Sequence, residues 1–296
     1  MNVLISGASG MVGTALGDAL KSQGHAVTCL TRGKAGAGEV FWDPLAGKLD
    51  PGALTGIDAV VHLAGENIAG RWTDAKKKAI RDSRTLGTGT LCEALAKMST
   101  PPKVLVSASA IGFYGNRGDE VLAETSTPGS GFLPGVCQEW EAAAAPAEKA
   151  GIRTVRMRIG VVLSAKGGAL AKMLTPFKMG VGGVIGSGTQ YMSWVSLDDV
   201  VGAIVFALTH ENLSGPANFV APNPATNREF TKTLGKVISR PTIFPMPAFA
   251  VRLAFGEMGD ELLLGSTRVK PERLQQAGYA FKYPELEGAL RAALGA

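Results

Sequence analysis

Cysteine is scarce in this chain, and so is histidine. The three cysteines, Cys29, Cys92 and Cys137, are odd in number, far apart and never in a CxxC pair. That spacing supports neither a disulfide framework nor a zinc ribbon and points to a reducing compartment. The three histidines, His25, His62 and His210, fall at a helix–strand turn, inside a strand and near a helix end, with no metal-ligand spacing among them. No apolar run reaches the ~18 residues of a membrane span. The chain enters a strand-like segment at once, without a basic n-region or a small-residue cleavage site. A cytoplasmic protein with no membrane partner is expected. Charge of one sign is also lacking: 30 basic and 25 acidic side chains leave a net +5, scattered along the sequence rather than gathered into a nucleic-acid-binding stripe. Two catalytic signatures are missing. No Lys-Ser or Lys-Thr follows the N-terminal glycines, which disfavours a P-loop, and without a GxSxG elbow a serine hydrolase has no nucleophile.

What is present is ample core material, 46% hydrophobic residues in 296. Asn2 to Ser6 is a short apolar run, followed by Gly7, Gly10 and Gly13 and by Met11, Val12, Ala15, Leu16, Ala19 and Leu20 at helical spacing. Gly24 stops the helix and "HAVTCLT" reads as a second buried strand. This is a βαβ unit, whose right-handed crossover makes the two strands parallel neighbours. In such a unit the glycines permit a tight turn, close approach to a pyrophosphate and close helix–strand packing. The helix N-terminus then attracts phosphate. The spacing GxxGxxG carries one residue more than the usual GxGxxG. At the end of the second strand, where a carboxylate would take the ribose hydroxyl of NAD, stand Thr31 and Arg32. A guanidinium there suits a 2′-phosphate, so NADP is expected over NAD.

Further along, "EVFW" (Glu39 to Trp42) is a short strand-like segment and "DAVVHLAG" a buried strand ending in Ala64-Gly65. A helix is expected over Thr73 to Met98, interrupted by Gly87 and Gly89. "KVLVSAS" is the next strand, "QEWEAAAA" a helix broken by Pro146, and "RTVRMRIGVVL" the sixth strand. Alternating strands and helices predict an α/β fold, a Rossmann-type doubly wound parallel sheet over 1–163, with Gly7, Arg32, Ala64, Ser109 and Val162 at one edge. Residues 164–296 are expected to form a smaller C-terminal lobe over the crevice, some of its elements returning to the sheet. Asp198 and Asp199 are read as helix caps there, and "GVGGVIGSGTQ" as a loop able to contact a small-molecule substrate.

The stretches "ISGASGMVG", "VVHLAGEN", "VSASAIGFYG" and "WVSLDDVV" resemble the extended short-chain dehydrogenase/reductases, which include NAD-dependent sugar-nucleotide epimerases and dehydratases. More narrowly, "HLAGENIAGRW", "CQEWEAAA", "FKMGVGGVIGSGTQYMSWVSLDDV" and "GPANFVAPNPATNREF" are similar to atypical epimerase-family proteins that end in a small domain of unknown function. The resemblance implies an NADP site made by Gly7, Ser9, Gly10, Met11, Val12 and Gly13, with Thr31 and Arg32 at the 2′-phosphate. Leu63, Ala64 and Gly65, then Arg84 and Val162, complete it.

The proton-transfer pair of that superfamily is absent. A tyrosine four residues before a lysine is expected in "VCQEWEAAA", where Cys137 and Glu141 stand instead. A glutamate would raise the pKa of a neighbouring acid where lysine lowers it. Candidate catalytic residues are therefore Ser109, Glu66 (a base if burial raises its pKa) and Tyr114. Cys137 reads as a buried small hydrophobe and Glu141 as a cap on backbone amides, with Trp140 filling a gap. Three functions stay open: an NADP-dependent oxidoreductase or epimerase-like enzyme with a nonstandard site, a coenzyme-binding sensor without turnover, and an assembly surface on the smaller lobe. The oligomeric state is not legible.

Overall fold

The N-terminal periodicity becomes strand β1 (Asn2–Ser6), helix α1 (Met11–Ser22) and strand β2 (Ala26–Thr31) in a computed structural model that describes residues 1–296. Strands β3 (Glu39–Phe41), β4 (Ala59–His62), β5 (Val104–Ala110) and β6 (Arg153–Ile159) join them. The seventh strand of the sheet, Gly215–Phe219, comes from much later in the chain and pairs with β6. Every pairing is parallel, and the spatial order outward from β3 is β3, β2, β1, β4, β5, β6, Gly215–Phe219. The order reverses between β1 and β4, which opens a crevice beyond their carboxyl ends.

Strand alternation decides which layer each side chain joins. Val3 and Ile5 of β1 pack with Leu16 and Leu20 of α1, whereas Leu4 packs with Leu91 and Leu95 of α2 (Asp74–Ala96) on the opposite face. Each such buried aliphatic side chain contributes roughly 1.5–3 kcal/mol. A separate core gathers Leu170 and Leu174 of α5 (Gly168–Lys178), Trp194, Phe230 of α7 (Asn227–Val237) and Leu290.

Four local expectations are corrected. Helix α2 is continuous through Gly87 and Gly89, because Gly87 is a packing position against Pro44 and Trp42 and not a break. The helix before Pro146 ends at Ala142 as α3 (Phe132–Ala142), and Pro146 sits in the first turn of α4 (Ala145–Lys149), where its missing N–H costs nothing. The long "RTVRMRIGVVL" run is two strands. At Gly160 a Cβ would meet the Ser193 carbonyl oxygen at 2.6 Å, so the chain turns out of the large sheet there. It continues as β7 (Val161–Leu163), paired with β8 (Trp194–Ser196) in a two-stranded sheet. Helix α6 (Leu197–Thr209) packs on α1 and leads to Gly215–Phe219, hereafter β9.

The cap of α6 is Ser196, whose Oγ accepts the Asp199 amide at 2.9 Å. Asp199 is instead a buried tether: its carboxylate accepts the Lys282 and Tyr283 amides at 2.7 and 3.0 Å and fastens the last segment of the chain to α6.

Candidate functional site

The loop between β1 and α1 is built for contact with main chain. Gly7 has φ +71°, and a Cβ there would sit 2.9 Å from the Ala64 nitrogen beyond β4. A Cβ on Gly13 would overlap the Gly7 carbonyl oxygen. Gly10 begins α1 with no side-chain cap, Ser9 and Gly10 are exposed, and no acid lies in the first turn. The result is a bare helix N-terminus behind a glycine cradle, an arrangement that suits a phosphate.

A polar pillar braces this cradle from below. Ser6 Oγ accepts the Leu63 and Ala64 amides at 3.1 and 3.2 Å and lies 2.6 Å from His62 Nδ1. With its lone pairs used by the amides, the serine proton points to Nδ1, so Nε2 carries hydrogen and donates to Thr88 Oγ1 on α2 at 3.0 Å. His62 is fully buried, and burial pulls its pKa down to about 4, keeping the ring neutral. Leu63 and Ala64 are thereby locked at the height the glycine loop requires.

Around the crevice mouth the charges are mostly positive. Arg32 is exposed just past β2 and takes part in no ion pair, and Thr31 Oγ1 accepts the Gly33 amide at 3.2 Å. Arg84, on α2, donates through Nη1 to the Glu66 and Ile80 carbonyls at 3.1 Å each. Its guanidinium lies beside Gly65 and 4.9 Å over the Trp140 ring. Burial, with no carboxylate bonded to it, lowers the Arg84 pKa. Val162 packs on the same core as Val12, and Met11 touches the turn at Gly167 and Gly168.

Glu66 pairs with Lys76 at 2.6 Å, its side chain 43% exposed. The Lys76 hydrogen bond holds its carboxyl below the usual range. The condition for a general base, a pKa raised by burial, is therefore not met.

Ser109 and Tyr114 are sealed in one buried network. Ser109 Oγ donates to Glu141 Oε1 at 2.7 Å. Arg158, on β6, closes a two-pronged pair on the same carboxylate, Nε to Oε1 at 2.7 Å and Nη2 to Oε2 at 2.9 Å. Arg158 Nη1 donates to the Tyr114 hydroxyl at 3.0 Å, which donates in turn to Asn218 Oδ1 at 2.7 Å. Burial would lower the Arg158 pKa, but the Glu141 hydrogen bonds and charge outweigh it and hold the value up. Tyr114 moves up, chiefly through burial. Cys137 faces the same interior, and burial with the nearby Glu141 charge pushes its thiol to about 12. The cap expected of Glu141 is not made: its carboxylate serves Arg158 and Ser109. The amides that open α3, those of Phe132 and Leu133, are instead accepted by Glu261, from a segment packed across the helix start, at 3.2 Å each.

Sequence reasoning missed Arg158, Asn218 and the Ser6–His62–Thr88 pillar. One signal was available: an arginine within a run that reads as a buried strand needs an anionic partner. The only such partner it finds lies seventeen residues earlier, on another element.

A doubly wound sheet whose crevice carries a glycine cradle, an uncapped helix and an unpaired arginine defines a dinucleotide-binding α/β protein of the Rossmann type. Residues 3–221 match the NAD dependent epimerase/dehydratase family, and residues 246–293 a domain of unknown function. The chain belongs to that epimerase family. It is 46% identical to an epimerase family protein of Mycobacterium bovis over 290 residues, 97% of this chain and 96% of that one. It is 38% identical to the human epimerase family protein SDR39U1, over 98% of this chain and 99% of the human one. The crystal structure of that human protein with NADPH superposes with a TM-score of 0.93 at 38% identity, covering 100% of both chains. UDP-N-acetylglucosamine 4-epimerase from Bacillus cereus, at 17% identity over 99% of this chain and 98% of that one, shares the fold with a TM-score of 0.78.

Proposed function

We propose that this chain binds NADP(H) in the crevice and keeps it there without proton transfer of the tyrosine–lysine kind, serving as a coenzyme-binding sensor. Binding is supported by the Gly7–Gly13 cradle, the bare start of α1 and the unpaired Arg32 where an NAD site would carry an acid. The NADPH in the crystal structure of the human relative supports the same coenzyme. Thr31 and Arg32 would take the 2′-phosphate, and Leu63, Ala64, Arg84 and Val162 would line the remainder. Bound NADPH would carry a hydride, but on this reading no proton donor stands beside it to complete a reduction.

The observation that carries the loss of turnover is the closed Ser109–Glu141–Arg158–Tyr114 network. Both hydroxyls that sequence offered as catalysts are buried and bonded inward, and the residue at the tyrosine position is a thiol that stays protonated at neutral pH. Three free cysteines, two of them buried, support a reducing, cytoplasmic setting.

The test is titration with NADPH and NADH, followed by incubation of the NADPH complex with a broad panel of carbonyl acceptors. Tight NADPH binding with no acceptor-dependent loss of nicotinamide absorbance is expected. Turnover that falls in Ser109→Ala or Glu66→Gln would establish an enzyme with a nonstandard site in place of a sensor.

A further inference from the structure

The expectation of no membrane partner rested on the lack of a spanning segment, and no helix is long and apolar enough to cross a bilayer. Lying on a bilayer surface asks for something else: apolar side chains that protrude into water, ringed by cations without free carboxylates. The smaller lobe carries such a face. Helix α8 (Ala248–Phe255) fully buries only Val251, while Phe249 and Leu253, four residues apart on one stripe, are 72% and 77% exposed.

The segment leading into α8 exposes Ile243 and Phe244 and lies against the chain that leaves α5 (Gly168–Lys178). Arg240 Nε donates to the Lys178 carbonyl at 3.1 Å, Met246 N to the Val184 carbonyl at 2.9 Å, and Gly183 abuts the Phe244 carbonyl. These contacts set exposed Met179 and Val181 beside Ile243 and Phe244. Single exposed apolar residues are ordinary, but six gathered on one lobe mark a contact surface.

Charge identifies the partner. No Asp or Glu occurs between Glu148 and Asp198 or between Glu229 and Glu257, the two stretches that build this face. Lys172, Lys178 and Arg240 are exposed and belong to no ion pair. Acids of the C-terminal segments are engaged: Asp260 with Arg252, Glu257 with Lys77, Glu261 on the α3 amides, and Glu287 with Lys236. A two-fold contact between copies would bring this net-cationic rim against itself, which is repulsive. A soluble polyanion would leave the protruding phenylalanines without a role.

We propose that this face docks the protein on a bilayer surface containing anionic lipid. Phe244, Phe249 and Leu253 enter the boundary between headgroups and acyl chains, and Lys172, Lys178 and Arg240 meet the lipid phosphates. The proposal does not depend on the coenzyme reading.

Sedimentation of the full chain with vesicles of phosphatidylcholine alone, or mixed with phosphatidylglycerol, tests it. Binding to the mixed vesicles, weakening as salt rises, is expected, with little binding to the neutral ones. Phe249→Ser with Leu253→Ser, and separately Lys172→Glu with Lys178→Glu, should each weaken partitioning at least about tenfold, with melting temperature and NADPH affinity unchanged. No sedimentation with mixed vesicles at low salt would overturn the proposal. So would charge-sensitive binding indifferent to the serine pair, which means a soluble polyanion, or a dimer lost in the serine pair without vesicle binding, which means a second copy.

Discussion

Glu141 and Arg158 meet as a planar fork inside the protein, both side chains under a tenth exposed, with Nε and Nη2 at 2.7 and 2.9 Å from the two carboxylate oxygens. The fork lies where the family's proton-transfer machinery is expected. Breaking such a pair leaves a buried charge without its counterpart, whereas replacing both members with apolar residues removes the problem. Glu141→Gln should lower stability by about 3–5 kcal/mol, and Glu141→Leu with Arg158→Met should recover most of that in urea denaturation. Glu141→Lys, which restores the family's lysine on paper, would set two cations against each other and should be the least stable of the three.

His62 makes stability depend on acidity. Its folded pKa of about 4 lies below the ordinary 6.5, so between those values the unfolded chain binds a proton that the folded chain refuses. Stability from this group is complete above pH 6.5 and drains away as pH falls toward 4, a loss of about 3 kcal/mol. Denaturation midpoints measured across that range should fall more steeply for the parent than for His62→Gln, whose amide does not titrate.

Two glycines of α1 should respond in opposite ways to alanine. Gly13→Ala drives a methyl into the Gly7 carbonyl and should abolish coenzyme binding. Gly17 has open space around it, and Gly17→Ala should raise stability by about 0.5–1 kcal/mol. Calorimetric titration beside thermal melts separates the two effects.

Arg32→Asp exchanges a free cation past β2 for the acid that suits an unphosphorylated ribose. NADPH affinity should drop by several kcal/mol, about a hundredfold or more, through the lost charge-assisted bonds and added repulsion. NADH affinity should hold or rise. Equal losses for both coenzymes would remove the phosphate clamp from the account.

Iodoacetamide at mildly alkaline pH should label Cys29 first, the one cysteine that is not buried. Cys92 and Cys137, with thiols pushed to about 12, should stay unlabelled until the protein unfolds. Mass spectrometry of the peptides reads this directly.

Where sequence and structure agree, the information is local. The β1–α1–β2 unit could be read because its glycines, its helical periodicity and the arginine after β2 all fall within thirty-two residues. Strand β9 gave no comparable sign: "GPANF" starts with glycine and proline and carries an asparagine, and it is a strand only because β6 offers it an edge. The turn at Gly160 depends on the Ser193 carbonyl, far along the chain, so apolar patterning ran straight through it. Glu141 looked like a cap for the same reason, since the arginine that claims it arrives with a strand not yet made.

Glu261 has a consequence for how the molecule comes apart. The carboxylate that secures the opening turn of α3 belongs to the C-terminal third, and Asp199 ties the final segment back onto α6. A cut after residue 163, the boundary expected from sequence, would therefore not release a sound nucleotide-binding half. It would leave α3 fraying from its first turn, loosening the shelf on which Cys137 and Glu141 rest, so both halves are expected to melt together.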